Sequence, residues 1–204
     1  MATLSQAQTQ LYNFGAGVLQ SDSGSATYYL NQAKNWIEDK DNWPWLEATA
    51  TGSAPLTIAD LRNIIYVADS TNDRLLQAST ASDIATIDPT LDSTGAPSHY
   101  YLDGLTSVKV WPSSTVSLSV RYIKYSPELS AAGDTPLIPT RYHALWIQVA
   151  YYLFLQVRQP QSITGDFVTR LTSSIDDMRE QFFKRTDSVP NLYGTVGISS
   201  ATWL

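Results

Sequence analysis

The side chains able to do chemistry in this chain are few, and their spacing decides how far they can be taken. There are two histidines and no cysteine in 204 residues. His99 falls in a segment that reads as a strand, between Ser98 and Tyr100, and His143 falls in the first turn of a predicted helix. Neither has a nucleophile at a useful spacing on either side, and there is no GxSxG or HExxH. Both read as packing or surface residues. Carboxylates cluster at Glu38-Asp39-Asp41 and at Asp176-Asp177-Glu180. Asp177 and Glu180 stand three apart on one helical face, where a cation could bridge them. The same positions are also those a solvated helix face requires. Paired acids near tryptophans raise the glycosidase arrangement of two carboxylates, which needs a separation that spacing alone does not supply. Arg121 and Lys124 flank Tyr122 and Tyr125, the pattern of a stacking platform for single strands. A hairpin face with cross-strand aromatic pairs uses the same residues. No glycine-rich loop cradles a phosphate, since Gly95, Gly104 and Gly133 are isolated turn glycines.

Composition narrows this further. Without cysteine there is no disulfide framework, zinc ribbon or thiol nucleophile. Charged residues are 16% of the chain, against about 25% in an ordinary soluble domain. Six tryptophans and twelve tyrosines accompany this low charge. Thirteen basic and nineteen acidic residues give a net charge of −6, which argues against a groove that grips phosphates along its length. The most apolar stretch, Ala144 to Val157, is shorter than the roughly 20 residues of a membrane span and is interrupted by Gln148 and Gln156. The N-terminus lacks the basic start and apolar run of a secretory signal. A soluble protein made in a cytoplasm is expected, with no cofactor and no metal.

The elements that must position these residues fall into three regimes. In the first, Leu4, Ala7, Leu11 and Phe14 recur at helical spacing, predicting a helix over 3–14 that Gly15 and Gly17 end. Ser25 is the expected N-cap of a helix over 25–40 with Tyr29, Ala33, Trp36 and Ile37 on one face. Trp43-Pro44-Trp45 comes next, and Pro44 pushes Trp43 towards an extended conformation. The two rings then sit at a bend, placed to pack that helix against the segment beyond it.

The second regime, about 48–125, reads as strands. Leu56 to Val67 is β-branched and aromatic, and Arg74 to Ala78 reads as a further strand. Ser79 to Ile87 reads as a short helix capped by Ser82 or Thr80. His99 to Leu102 and Ser107 to Trp111 form a hairpin around Asp103-Gly104, where glycine accepts positive φ. Val116 to Tyr125 alternates in the manner of a half-buried antiparallel strand. The third regime is helical again. Thr140 is the expected cap of a helix over 141–157, and Phe167, Leu171, Ile175, Met178 and Phe182 mark an amphipathic helix over 166–185. The layout is α+β: N- and C-terminal helices forming a helical body, a central antiparallel β insertion, and an extended C-terminal tail.

That tail, residues 186–204, has Asp187 as its last charged side chain. It carries Val189, Pro190, Leu192, Tyr193, Val196, Ile198, Trp203 and Leu204, too many apolar groups for a solvent-swept terminus. It either folds back on the core or docks on another chain, where Trp and Tyr are favoured anchors.

The ordered segments resemble the head-to-tail adaptor (connector) proteins of tailed bacteriophages. The resemblance runs over residues 4 to 183. It is carried by Asp41-Asn42-Trp43-Pro44-Trp45-Leu46-Glu47, by Leu56 to Val67 around Asp60-Leu61-Arg62, and by Gly95-Ala96-Pro97 before Tyr100-Tyr101 and Val110-Trp111-Pro112. Val120-Arg121-Tyr122-Ile123, Asp134-Thr135-Pro136, Ile138-Pro139 and Arg141-Tyr142-His143 complete it. No single motif is diagnostic; the order carries it. The resemblance implies a structural virion protein without catalysis, with residues 1–185 as the adaptor domain. It implies a homo-oligomeric ring, usually of twelve copies, under the portal protein at the capsid vertex. Tail or nozzle proteins lie beyond, and double-stranded DNA passes through without sequence-specific binding. The implied location is the virion neck, after assembly in the host cytoplasm. A carbohydrate-binding module and a virion-associated hydrolase are the alternatives, the first from Trp, Tyr, Asn and Ser in the β region.

Overall fold

The computed structural model describes residues 2–16, 20 and 22–187, so the tail residues singled out above, Val189 to Leu204, lie outside the described residues. The chain folds as helices, then strands, then helices. Helix α1 spans Leu4–Leu11 and opens with a capping box in which Thr3 Oγ1 accepts from Gln6 N while the Gln6 side chain accepts from Thr3 N. It runs into a π-helical turn, Tyr12–Ala16, that closes at Gly15 with φ of 116°. This turn shifts the helical phase. Leu4, Ala7 and Leu11 are buried as their spacing requires, but Phe14 leaves the stripe and lies largely exposed, stacked on Tyr151 at 6.2 Å.

Helix α2 spans Ser23–Glu38. Its N-cap is Asp22, whose carboxylate accepts from Ser25 N, so Ser25 is inside the helix and does not cap it. Tyr29, Ala33 and Ile37 are buried, and Trp36 is half-buried beneath Lys40. Trp43 is extended before Pro44, and a single 3₁₀ turn, Pro44–Leu46, delivers the chain into strand β1.

Eight strands lie between residues 47 and 124: β1 (Glu47–Ser53), β2 (Leu56–Thr57), β3 (Leu61–Asp69), β4 (Arg74–Leu75), β5 (Gln77–Ala78), β6 (His99–Asp103), β7 (Ser107–Trp111) and β8 (Ser117–Lys124). They form two four-stranded sheets, ordered β1-β8-β3-β4 and β2-β7-β6-β5. All pairs are antiparallel except β5 with β6, which corrects the purely antiparallel expectation. The parallel pair results from the long connection between them, which holds a short helix α3 (Ala81–Ala85) capped by Thr80. The Arg74–Ala78 segment is split in two because Leu76 turns into the core and its N–H pairs with Val67 O. The β6–β7 hairpin turns at Gly104, φ 71°.

Two hydrophobic cores result. One is helical, and the other lies between the sheets around Val67, Val108, Leu118 and Val120. Strand β8 belongs to both: Tyr122 faces the sheet core, and the next residue, Ile123, enters the helical core. Helix α4 (His143–Arg158) is entered through a 3₁₀ turn, Thr140–Tyr142, and carries no side-chain cap, so Thr140 does not serve as one. Helix α5 (Gly165–Asp187) buries Leu171, Ile175 and Met178 in the helical core.

The rings at the bend close this arrangement. Trp43 is fully buried, donates from Nε1 to Ile37 O, and stacks on Trp45 at 4.6 Å. Phe182 of α5 meets Trp45 edge-on at 4.9 Å, and Phe183 meets Trp43 at 5.8 Å. Replacing Trp43 by Ala is expected to cost about 3–5 kcal/mol of unfolding free energy, measured by urea denaturation. Leu105→Ser, at a hairpin tip where the side chain is 86% exposed, should change it by less than about 0.5 kcal/mol.

Candidate functional site

The residues that invited a catalytic reading are held apart by the fold, and most are consumed by structural bonds. His143 is buried at the start of α4. Its Nδ1 accepts from Ala2 N at 3.0 Å and its Nε2 donates to Ile138 O at 2.9 Å, so the neutral ring ties the N-terminus to the loop before α4. Burial pushes its pKa below the ordinary histidine value. His99, on β6, is half-buried, lies beside the Ser98 hydroxyl and leans on Trp111 at 5.9 Å. The two histidines share no site.

The first acidic cluster is dispersed around the end of α2. Glu38 is buried and accepts from Ser126 Oγ at 2.5 Å. Asp39 faces Arg62 at 3.6 Å, and Asp41 accepts from Arg179 of α5 at 2.7 Å. Lys34, one turn before Glu38, is fully buried as well. Its Nζ donates to Ser126 Oγ, Ser126 O and Pro127 O at 2.7–3.2 Å. Burial lowers the Lys34 pKa and raises that of Glu38, the latter partly offset by the Ser126 hydroxyl and by Lys34 itself. Asn31, another turn back, pairs with both backbone groups of Leu129 at 2.9 Å. Together with Ser126, these three side chains strap the loop after β8 along α2. Sequence reasoning passed over Lys34 and Asn31, although a Lys and an Asn on the apolar face of an amphipathic helix are themselves a signal of buried pairing.

The second acidic cluster, Asp176, Asp177 and Glu180, lies on the exposed face of α5, as its helical phase dictates. Among the described residues no three of His, Asp and Glu come together in a way that could hold a metal ion. The aromatic–basic run on β8 is likewise divided. Arg121 points outward and pairs with Glu47, whereas Tyr122 turns inward and donates its hydroxyl to Asp60 at 2.9 Å. Burial and that bond push the Tyr122 pKa up to about 12. Alternation along the strand therefore prevents Arg121 and Tyr122 from sharing a stacking platform.

One carboxylate stands out in the β region. Asp88, buried after α3, accepts from Trp111 Nε1 at 2.9 Å and from Ser93 N at 3.0 Å. The Trp111 bond, with the Ser93 amide second, holds its pKa well below the usual carboxylate range. It pins the long β5–β6 connection onto β7. A concavity of about 690 Å³ lies near this connection and is lined by Pro55, Asn72, Tyr101, Lys109 and Ser113 among others. It holds neither a histidine nor an acidic group.

The surface, by contrast, presents apolar groups. Leu105 stands at the β6–β7 tip, Leu75 on β4, Ile87 after α3, and Ile65 and Tyr66 on β3, all exposed. No helix among the described residues is long and apolar enough to cross a membrane. The fold is mixed α and β, most of the candidate polar side chains are bonded within it, and large apolar groups stand scattered on its surface. The chain matches the family described as SU10 adaptor protein over residues 3–192, and it belongs to that family, one of phage head–tail adaptors. A search of curated proteins finds no match.

His143 and Asp88 both have folded-state pKa values below their ordinary ones. Each therefore contributes stability that is present above its unfolded value and is lost as pH falls through its folded value. Acidification from about pH 7.5 to 5 should lower stability through His143 and not through Asp88, which stays ionised there, while Glu38, with its raised pKa, acts in the opposite sense, so the His143 contribution is read as the difference in urea midpoint between the native chain and His143→Gln. His143→Gln should flatten that segment of the profile while leaving the steeper loss at lower pH.

Proposed function

We propose that this protein is a head-to-tail adaptor that assembles as a ring, expected to hold twelve copies, between the portal protein and the tail or nozzle proteins, with residues 1–185 acting as the adaptor domain. The observation that carries the reading is the family match, which spans both helical segments and the strands between them. Low charge and exposed apolar groups support it, because a ring covers the flanks of each subunit with its neighbours. The net charge of −6 supports passage of DNA without retention. Acidic groups repel phosphates and forgo the counterion release that makes basic grooves bind.

The segment after Arg185 is the proposed docking element for the portal. Its apolar residues Val189, Pro190, Leu192, Tyr193, Val196, Ile198, Trp203 and Leu204 are the anchors, and aromatic side chains of this kind carry most of the binding energy at such contacts. The site of action is the virion neck, reached after assembly in the host cytoplasm.

Electron microscopy of the protein mixed with its portal should show a closed ring seated on the portal. A strict monomer that ignores the portal would overturn the reading. Truncation after Arg185 should leave the unfolding free energy of the core within about 0.5 kcal/mol of the full chain and weaken portal binding at least tenfold, about 1.4 kcal/mol. Loss of the folded core on truncation would assign the segment to the protein's own interior instead.

A further inference from the structure

The concavity of about 690 Å³ beside the β5–β6 connection plays no part in the adaptor reading. Its size falls within the range of about 300–1,000 Å³ in which small-molecule sites lie. Val108 and Val110 fill the sheet core, so alternation turns Lys109, and Tyr101 paired across from it, to the other face of the β6–β7 hairpin. Both line the concavity. Tyr101 is only 7% exposed, yet its hydroxyl has no hydrogen-bond partner among the described residues. A buried polar group without a protein partner is ordinarily matched by water or a ligand.

The chemistry of this lining is close to neutral. Lys109 is its one charged side chain, and Asp103 pairs with it at 2.6 Å. The Asp103 bond raises the Lys109 pKa, and the Tyr101 hydroxyl acts weakly in the same sense, which places that hydroxyl near the ammonium. Around the pair stand groups that both donate and accept. Ser113, Ser114 and Thr115 are three successive hydroxyl residues in the lining. Asn72 donates its amide nitrogen to Asp69 Oδ2 at 2.7 Å and keeps its amide oxygen as an acceptor. Pro55, Leu91 and Pro97 add apolar surface between them.

The walls are also fixed in place. Asp88 ties the connection to Trp111. Ser113 N donates to Ser93 O at 2.7 Å, and Gly95 N donates to Ser113 O at 3.3 Å. A site held open in this way spends little binding energy on ordering itself.

We propose that this concavity binds a neutral saccharide of one or two rings. Hydroxyls beside apolar patches match a ligand whose own surface alternates hydroxyls with C–H faces. An anion would meet only a lysine already paired, and a cation would meet no carboxylate in the lining. A wholly apolar ligand would strand the Tyr101 hydroxyl. The lining also lacks the two carboxylates that glycoside cleavage needs, so the site binds and does not hydrolyse. The proposal does not depend on ring assembly.

The test is amide-resolved NMR titration of the full chain with glucose, galactose, mannose, rhamnose, N-acetylglucosamine and their disaccharides, with glucuronate for comparison. At least one neutral sugar should give saturable shifts at Asn72 and at Ser113 to Thr115, with a millimolar or tighter dissociation constant and little dependence on salt. Tyr101→Phe, which removes only the hydroxyl, should weaken that binding about three- to tenfold. Ala96→Trp, at an exposed position of the rim, should abolish it by filling the mouth. Both variants should keep the urea midpoint of the native chain. Shifts from none of the neutral sugars would overturn the proposal. So would binding that both variants leave unchanged, which places the sugar elsewhere, or tighter binding of glucuronate that salt abolishes, which marks an anion site. Rings seated on the portal without sugar binding would overturn this site and leave the adaptor reading standing, and sugar binding by a strict monomer that ignores the portal would do the reverse.

Discussion

The stack of Trp43 on Trp45, gripped from the side by Phe182 and Phe183, is the contact on which the rest of the structure depends. It joins three parts of the chain: the end of α2, the entry to β1 and, far off in sequence, the last turns of α5. Aromatic pairs contribute about 0.5–1.5 kcal/mol beyond the area they bury, and here several share one cluster. Helix α5 is otherwise an amphipathic helix with a narrow apolar stripe, and it leans on this cluster at one end and on Phe167 against Tyr151 and Tyr152 at the other. The cluster thus fixes the angle at which the chain leaves α2 for the strands, alongside the bond from Arg62 of β3 to Glu38 O at the end of α2.

A second constraint acts along the return path. Strand β8 is shared by both cores, and the loop after it is strapped to α2 by Asn31, Lys34, Glu38 and Ser126. Breaking one partner of such a buried polar set strands the others, which costs more than the set contributes when whole. The strap therefore specifies where the loop lies more than it adds stability. Because α1 bonds to the same loop, through Leu4 N to Asp134 O and Ser5 N to Ala132 O, one loop organises α1, α2 and the entry to α4 together.

Much of this was legible in local pattern. Three- and four-residue spacing marked α2 and α5, alternation marked β8, and Asp103-Gly104 marked the hairpin, because each reflects a period or a turn conformation encoded by neighbouring residues. Helix ends were less so. Asp22 and Ser25 are both competent caps, and which one acts depends on where the preceding loop delivers the chain. Phe14 kept helical spacing but lost its burial to a π-helical turn. The carboxylate and aromatic–basic clusters looked like sites because sequence adjacency conceals direction. Arg121 and Tyr122 are neighbours in the chain and point to opposite faces of a sheet.

The sequence by itself determined the alternation of helical and extended regimes, the exclusion of thiol chemistry, and the set of segments that identifies the adaptor family. These depend on local periodicity, residue type and order, which need no partner across the chain. The tertiary structure alone decided that Lys34 and Glu38 are buried polar partners of a loop, that Ile123 crosses to the other core, and that β1 stands at the end of its sheet beside β8. Each of those depends on which strand or loop comes to lie alongside. That is a matter of long-range pairing, which the residues flanking a position do not encode.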